Sequence, residues 1–337
     1  MKILGIETSC DETAASVVED GRFIRSNIVS SQIDLHRETG GIVPEVAARA
    51  HLAAIVPVVR RALADASCTW DDIDAIAATA GPGLPGALVI GFNAARGLAY
   101  ARGLPLIPVD HIEGHVCANW LGDPADGHVE PELPALALVV SGGHTELLLM
   151  EEHGRFERLG GTRDDAAGEA FDKVARLLDL PYPGGPPISR LAATATVRRT
   201  RLPRAWMRGS HDFSFSGLKT AVATMVASDA APPREEIAWA FEEAVCDVLA
   251  KKAARAAADS GVSSLLVAGG VAANRRLRER IVEESPVPVH IPPPALCTDN
   301  GAMIAAAAFR HLDDAVPAET PLDIFSTAVR RARVAPR

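Results

Sequence analysis

The hydrophobic and polar positions at the start of the chain alternate in short blocks. Residues 2–6 read as an apolar strand, followed by the polar loop Glu7-Thr8-Ser9-Cys10-Asp11-Glu12. Residues 13–19 predict a second strand, Gly21 a turn, and 22–29 a third strand. The order recurs further along. Residues 135–141 predict a strand, Gly142-Gly143-His144 a loop, 145–150 a strand, Gly154 a turn, and 155–159 another strand. The two turns share text: Glu19-Asp20-Gly21-Arg22-Phe23-Ile24-Arg25 matches Glu152-His153-Gly154-Arg155-Phe156-Glu157-Arg158 at five of seven positions, with a constant offset of 133. A match of that length arises by chance in long sequences, but this one sits inside a matching strand order. It reads as an internal duplication.

Each copy continues into alternating helices and strands. Pro44 opens a helix running to about Ala66, a strand covers 73–79, a helix follows Gly86, and a strand at 106–109 leads into a helix from about Asp110. In the second copy, residues 234–259 predict a long helix with Ile237, Phe241, Ala244, Val245, Val248 and Leu249 on one face, ended by Gly261. The strand 264–268 runs into Gly269-Gly270-Val271-Ala272-Ala273-Asn274 and a further helix. The strand 287–291 precedes a Pro-rich loop and a last helix from about Asp299. The expected architecture is α/β in two domains, 1–132 and 133–337, with the helix near 299–311 able to pack back on the first. Two such copies, each opening on a strand–loop–strand hairpin, describe the duplicated superfold shared by actin, heat-shock chaperones and sugar kinases, whose nucleotide lies between its domains.

Composition agrees with two ordinary domains. Of 337 residues, 48% are hydrophobic but only 4% aromatic, so the core has to be built from small and aliphatic side chains. No run approaches the ~20 apolar residues of a membrane span, and Glu7 interrupts the start before a signal-peptide apolar region forms. A cytoplasmic location is expected. The five cysteines (10, 68, 117, 246 and 297) show no Cys-x-x-Cys spacing, which fits reduced thiols. A net charge of −9 counts against generic nucleic-acid binding. Two arginine clusters, Arg198, Arg199, Arg201, Arg204 and Arg208, and Arg275, Arg276, Arg278 and Arg280, leave two readings open: a solvated basic face or a local phosphate contact.

Chemistry concentrates in a few motifs. The loops at 7–13 and 141–145 place hydroxyls, glycines and main-chain N–H groups at strand turns, a geometry that holds phosphate without a side-chain cation. In Asp110-His111-Ile112-Glu113-Gly114-His115 the histidines are four apart, so on a helix they share a face with Cβ atoms on the order of 5–6 Å apart. That suits one metal ion, or simply two helix histidines. Glu113 does not follow His111 directly, so this is not the zinc-protease motif His-Glu-x-x-His. A third ligand has to come from a distance. Asp299, at a loop–helix junction, is the best candidate, with a helix cap as its alternative role. Two His and one carboxylate leave coordination positions open, which suits iron(II) or zinc. Asp172 sits too deep in its predicted helix to serve only the helix dipole, and Tyr182-Pro183-Gly184-Gly185-Pro186 is a rigid turn.

These stretches together resemble the bacterial tRNA N6-adenosine threonylcarbamoyltransferases (TsaD, formerly labelled a glycoprotease). The resemblance is carried by Gly5-Ile6-Glu7-Thr8-Ser9-Cys10-Asp11-Glu12-Thr13, Gly40-Gly41-Ile42-Val43-Pro44-Glu45, Gly81-Pro82-Gly83-Leu84-Pro85-Gly86 and the His111/His115 helix. Ser141-Gly142-Gly143-His144-Thr145, Asp164 to Lys173, Tyr182 to Pro186, Asp212 to Thr220, Gly269 to Asn274 and Cys297-Thr298-Asp299-Asn300-Gly301 extend it along nearly the whole chain. Pro85 stands where Val is usual and Ala272 where Ser is usual; the carboxyl-terminal stretch matches nothing.

The resemblance implies transfer of a threonylcarbamoyl group from threonylcarbamoyl-AMP to N6 of an adenosine beside the tRNA anticodon. It implies His111, His115 and Asp299 as metal ligands, iron(II) or zinc. It implies Val139, Val140, Ser141, Gly142, Gly143, Asp172, Gly185 and Asn274 as the substrate-binding set. Ser9, Asp11 and Glu12 join them on the expectation that their loop faces the same cleft, one acid accepting the amine proton. A TsaB-like paralogous subunit and a small TsaE-like ATPase are the implied partners. Rival readings are a small-molecule kinase or ATPase of the same superfold, which has no use for a two-histidine helix, and a non-catalytic scaffold lacking the metal triad.

Overall fold

A computed structural model describes residues 1–207 and 209–326. The first half contains β1 (Lys2–Glu7), β2 (Glu12–Glu19), β3 (Phe23–Ser31), α1 (Ile33–Arg37), α2 (Pro44–Asp65), β4 (Ala75–Gly81), α3 (Pro85–Arg102), β5 (Leu106–Asp110) and α4 (His111–Cys117). The second contains β6 (Ala135–Val140), β7 (Thr145–Glu152), β8 (Arg155–Gly161), α5 (Ala167–Leu177), α6 (Gly185–Ala193), α7 (Ser216–Val226) and α8 (Arg234–Ser260). It continues through β9 (Ser264–Ala268), α9 (Arg275–Glu284), β10 (Val289–His290), α10 (Pro294–Cys297) and α11 (Gly301–Phe309).

The two sheets have the same plan. One is ordered β3-β2-β1-β4-β5 and the other β10-β9-β6-β7-β8, so each has a central strand with a meander on one side and two crossover strands on the other. β1 pairs antiparallel with β2 and parallel with β4; β6 pairs antiparallel with β7 and parallel with β9. The central strands are buried on both faces, which is why they read as near-continuous apolar runs. Helix ends follow the local chemistry: Pro44 and Pro85 occupy first turns, while α3 and α8 stop at Gly103 and Gly261 in the left-handed region, where glycine carries no steric cost.

Contacts divide the chain into two compact units, Met1–Glu130 with His153–Arg155 and the residues from Thr298 on, and Pro131–Glu152 with Phe156–Cys297. The sequence reading carries the second domain to 337 but lets the helix near 299–311 pack back on the first, and the described residues from Thr298 on do pack with the first unit. The cause is visible in α11, whose small side chains are buried against β1, β2 and α4. Gly5 makes that possible, because a Cβ there would collide with the backbone of Gly301 and Ala305. In the second unit, α8 is buried well beyond the single predicted face, because both α6 and α9 pack along it.

Candidate active site

Three neighbouring parallel strands of the first unit, β1, β4 and β5, deliver side chains at their carboxyl ends, the usual place for chemistry in such sheets. β1 ends in Glu7, β4 carries Thr79, and β5 passes directly into α4. Asp110 caps α4, its carboxylate accepting from the N–H groups of Ile112 (2.8 Å) and Glu113 (3.1 Å). The helix places His111 and His115 with ring centroids 4.7 Å apart. Asp299 joins them: its Oδ1 lies 3.1 Å from His115 Nε2 and 3.7 Å from His111 Nε2. One ligand atom from each of the three residues falls within 4.8 Å of the others. The cap alternative for Asp299 is corrected, since Asn300 caps α11 by accepting from Met303 N.

Glu7 completes the arrangement and was not singled out from sequence. It is fully buried, yet its carboxylate accepts from Thr79 Oγ1 (2.5 Å), from Ser9 N, and from His111 Nδ1 (3.1 Å). A carboxylate only accepts, so Nδ1 of His111 carries the proton and Nε2 is directed to the Asp299 side. Ser9, also buried, touches the same ring with its hydroxyl at 3.1 Å. Burial disfavours charge on both partners, but Coulomb attraction overrides it. His111 is raised to about 9 by Glu7 and Asp299, and Glu7 is held below the ordinary carboxylate range by His111. The pocket therefore favours a positive charge. Meanwhile neither ring nitrogen of buried His115 has a hydrogen-bond partner among the described residues. An orphaned imidazole beside a carboxylate, with a second imidazole oriented by an outer carboxylate, is the donor set a divalent ion uses.

Asp11 ends the β1–β2 loop and Glu12 begins β2. Glu12 Oε1 accepts from Ser31 Oγ (2.8 Å), whereas buried Oε2 has no hydrogen-bond partner among the described residues. Burial, with the like charge of Asp11 added, raises Glu12 to about 8. His51 of α2, also missed from sequence, braces the loop: its Nε2–H donates to the Cys10 carbonyl (2.9 Å), and its Nδ1 accepts from Thr13 Oγ1 (2.8 Å). Burial lowers its pKa, consistent with a neutral ring.

In the second unit, Val139 and Val140 are buried at the end of β6 and lead into Ser141, whose Oγ accepts from His144 N (3.1 Å). Gly142 and Gly143 form the exposed tip, with open space where side chains would stand. Gly168 at the start of α5 sits against this loop, donating to Ser141 O (3.1 Å). Asp172 accepts from Gly184 N (2.6 Å), which fixes the turn before Gly185, the first residue of α6. Asn274 caps α9 by accepting from Leu277 N (2.9 Å), and its amide donates to Ser189 Oγ (3.0 Å) and Glu242 Oε1 (2.8 Å). Ser189 and Glu242 line a cavity of about 370 Å³ with Arg198, Trp239 and Arg276. Asp164 accepts from the backbone of Phe215 and Ser216 and the hydroxyls of Ser214 and Ser216, which joins two of the sequence motifs.

The second arginine cluster is largely consumed internally. Arg276 pairs with Glu243, Arg280 with Asp247 (3.0 Å), and Arg278 donates to the carbonyls of Ala272 and Pro292. In the first, Arg204 pairs with Asp247 (3.1 Å), while Arg198 and Arg201 lie over the Trp239 ring at 5.9 and 5.6 Å; Arg208 falls outside the described residues.

Comparisons with known proteins bear on family and fold. A model of the tRNA N6-adenosine threonylcarbamoyltransferase family matches residues 23–306. The enzyme of that name from Thermomicrobium roseum is 53% identical, over 97% of this chain and 96% of its own length. Those of Dehalococcoides mccartyi and Bacillus cereus are each 55% identical, covering 92% and 90% of this chain and 93% and 90% of their own. Among solved structures, HypF of T. kodakarensis superposes with a TM-score of 0.60 at 16% identity, covering 93% of this chain and 48% of its own. Component A of the Acidaminococcus fermentans (R)-2-hydroxyglutaryl-CoA dehydratase gives 0.56 at 16% identity, covering 93% and 99%. These place the fold in the actin-like ATPase and kinase superfold. The chain belongs to the tRNA N6-adenosine threonylcarbamoyltransferase family.

Proposed function

We propose that this tRNA-modifying acyltransferase moves a threonylcarbamoyl group from threonylcarbamoyl-AMP to N6 of the adenosine next to the anticodon, in tRNAs that read codons beginning with A. The observation that carries the reading is the convergence of buried His111 and His115 with half-buried Asp299, backed by Glu7, in a chain of this family. These three residues would hold one divalent ion, iron(II) or zinc, which supplies Lewis-acid polarisation of the acyl carbonyl. A small-molecule kinase shares the hairpins but assigns no role to the two imidazoles.

The chain's own residues account for the other demands of the reaction. The N6 lone pair is delocalised into the adenine ring, so the amine is a weak nucleophile and needs an activated donor. As the new N–C bond forms, the bond from the carbonyl carbon to the AMP phosphate oxygen breaks, and AMP leaves as an anion. The Ser141–Gly143 tip, open to solvent and free of side-chain bulk, suits phosphate held by main-chain donors. Glu12, with an unpartnered oxygen and a pKa raised to about 8, is suited to accept the N6 proton. Within the second unit, Asp172 fixes the turn before Gly185 and Asn274 caps α9.

Partners and location follow as part of the same proposal. Leu52 and Val56 of α2, and Val89 and Tyr100 of α3, are exposed on two helices that pack together, a face suited to a TsaB-like paralogue. A TsaE-like ATPase for turnover rests on the family resemblance. No helix among the described residues is long and apolar enough to cross a membrane, in keeping with work on tRNA in the cytoplasm. The test supplies the purified chain and its partners with threonylcarbamoyl-AMP and unmodified tRNA and measures the modified nucleoside by mass spectrometry. Product with the parent chain and none with His111→Ala supports the reading; equal product from both defeats it.

A further inference from the structure

The two elements that bring the proposed ligands together, α4 and α11, meet at three places. At one end of α11, Asp299 approaches the two imidazoles. Midway, the helices touch at Gly114, where a Cβ would come within 2.9 Å of Ile304 and 3.4 Å of Met303. Beyond the other end, His311 Nε2 bonds to Glu113 Oε1 at 2.7 Å, and both side chains are about 10% exposed. Glu113 lies between the two histidines in sequence but projects from the helix in another direction. The far side of the His311 ring is closed by Gly154, whose hypothetical Cβ would stand 2.5 Å from Cε1, and Nδ1 faces Asp314 Oδ2 at 3.1 Å. The ring therefore has little freedom to swing away from Glu113.

Contact at a glycine resists tilt but not sliding, because a smooth surface offers no stop along the helix axis. A polar pair at the far end does. We propose that His311 is a positioning residue: its bond to Glu113 fixes the axial register of α11 against α4, and so sets how far Asp299 stands from His111 and His115. This rests on the metal reading above, because the quantity it controls is the bite of that ligand set. Sliding by a fraction of an ångström at His311 moves Asp299 equally, since a nine-residue helix transmits displacement along its axis as a rigid rod.

The test titrates Zn²⁺ into metal-free full-length protein against a chromophoric chelator, for the parent, His311→Ala, His311→Gln and His111→Ala. Circular dichroism verifies folding, and hydrogen exchange follows the amides of residues 111–117. His311→Ala should bind zinc about 10–100-fold more weakly, the usual cost of losing an outer partner of a metal site. Exchange in α4 should rise even without metal. His311→Gln, whose amide still donates to Glu113, should recover most of the affinity, and it carries the test if the alanine variant does not fold. A folded His311→Ala with parental affinity and parental exchange overturns the proposal. If His111→Ala then loses zinc, the metal reading stands and only the latch falls. If the parent itself binds no zinc, the metal reading falls and exchange in α4 alone decides the latch.

Discussion

The loop joining β1 to β2 and the loop joining β6 to β7 occupy equivalent places in sheets of the same strand order, yet their surroundings differ. The first is walled in. Glu7 and Ser9 are buried, the loop bonds to His111, and His51 braces it from below. The second ends in two exposed glycines with open space around them, held at its base by Ser141 and Gly168. Duplication preserved the backbone, while the partners each loop acquired from elsewhere decided its chemistry. A walled loop with acids and imidazoles concentrates charge, and a bare one presents main-chain donors.

That division can be broken experimentally. The largest effect is expected from His115→Ala, which removes one of the three proposed metal ligands beside the first hairpin. Loss of several kcal/mol of Lewis-acid stabilisation lowers transfer on the order of 10³-fold, measured as product nucleoside per unit time, with metal content falling in parallel. Glu7→Gln keeps the shape but weakens the acceptor for His111. Metal affinity should drop about 10–100-fold in a chelator competition while the far-ultraviolet spectrum stays parental. On the second hairpin, Gly142→Val should raise the KM for the acyl adenylate by about tenfold, or ~1.4 kcal/mol, with zinc affinity unchanged. Were zinc binding lost too, the separation of roles would be wrong.

A further effect concerns Glu12 and pH. Its folded pKa of about 8 exceeds the ordinary carboxylate value of 4.5, so the folded state binds the proton more tightly than the unfolded one. Stability contributed by this group therefore falls as pH rises from 4.5 towards 8 and is constant above. Glu12→Gln removes the penalty, and its thermal midpoint should exceed the parent's increasingly across that interval. The transfer rate of the parent should climb through about pH 8 as the carboxylate forms, and that limb should be absent in the variant.

Much of this was legible in residues alone, for identifiable reasons. The strands of both hairpins, the i,i+4 spacing of His111 and His115, and the glycine stops are local signals, written within a few positions of where they act. Asp299 was reachable only as a candidate, from its loop–helix junction and from family resemblance, since no spacing ties it to partners on a distant segment. Glu7 was missed because an acid ending an apolar strand looks like the first residue of a polar loop. Only the fold shows it enclosed by Thr79, Ser9 and His111. The arginines of α9 looked like a basic patch because Glu243 and Asp247, their partners, sit on another helix. The cap that Asn274 places on α9, and its bond to Glu242, were likewise not legible, because Glu242 sits on another helix.

α11 packs on the sheet begun at Lys2 alongside α2 and α3, and Glu113 meets His311 across 198 residues. A ribosome must therefore finish the entire second unit before the first can close. Until that moment His111 and His115 stand without Asp299, and the proposed metal site lacks its third member. Asp299 arrives late in synthesis, and a cut after Cys297 would strip the first unit of α11 while leaving the second unit's segments intact.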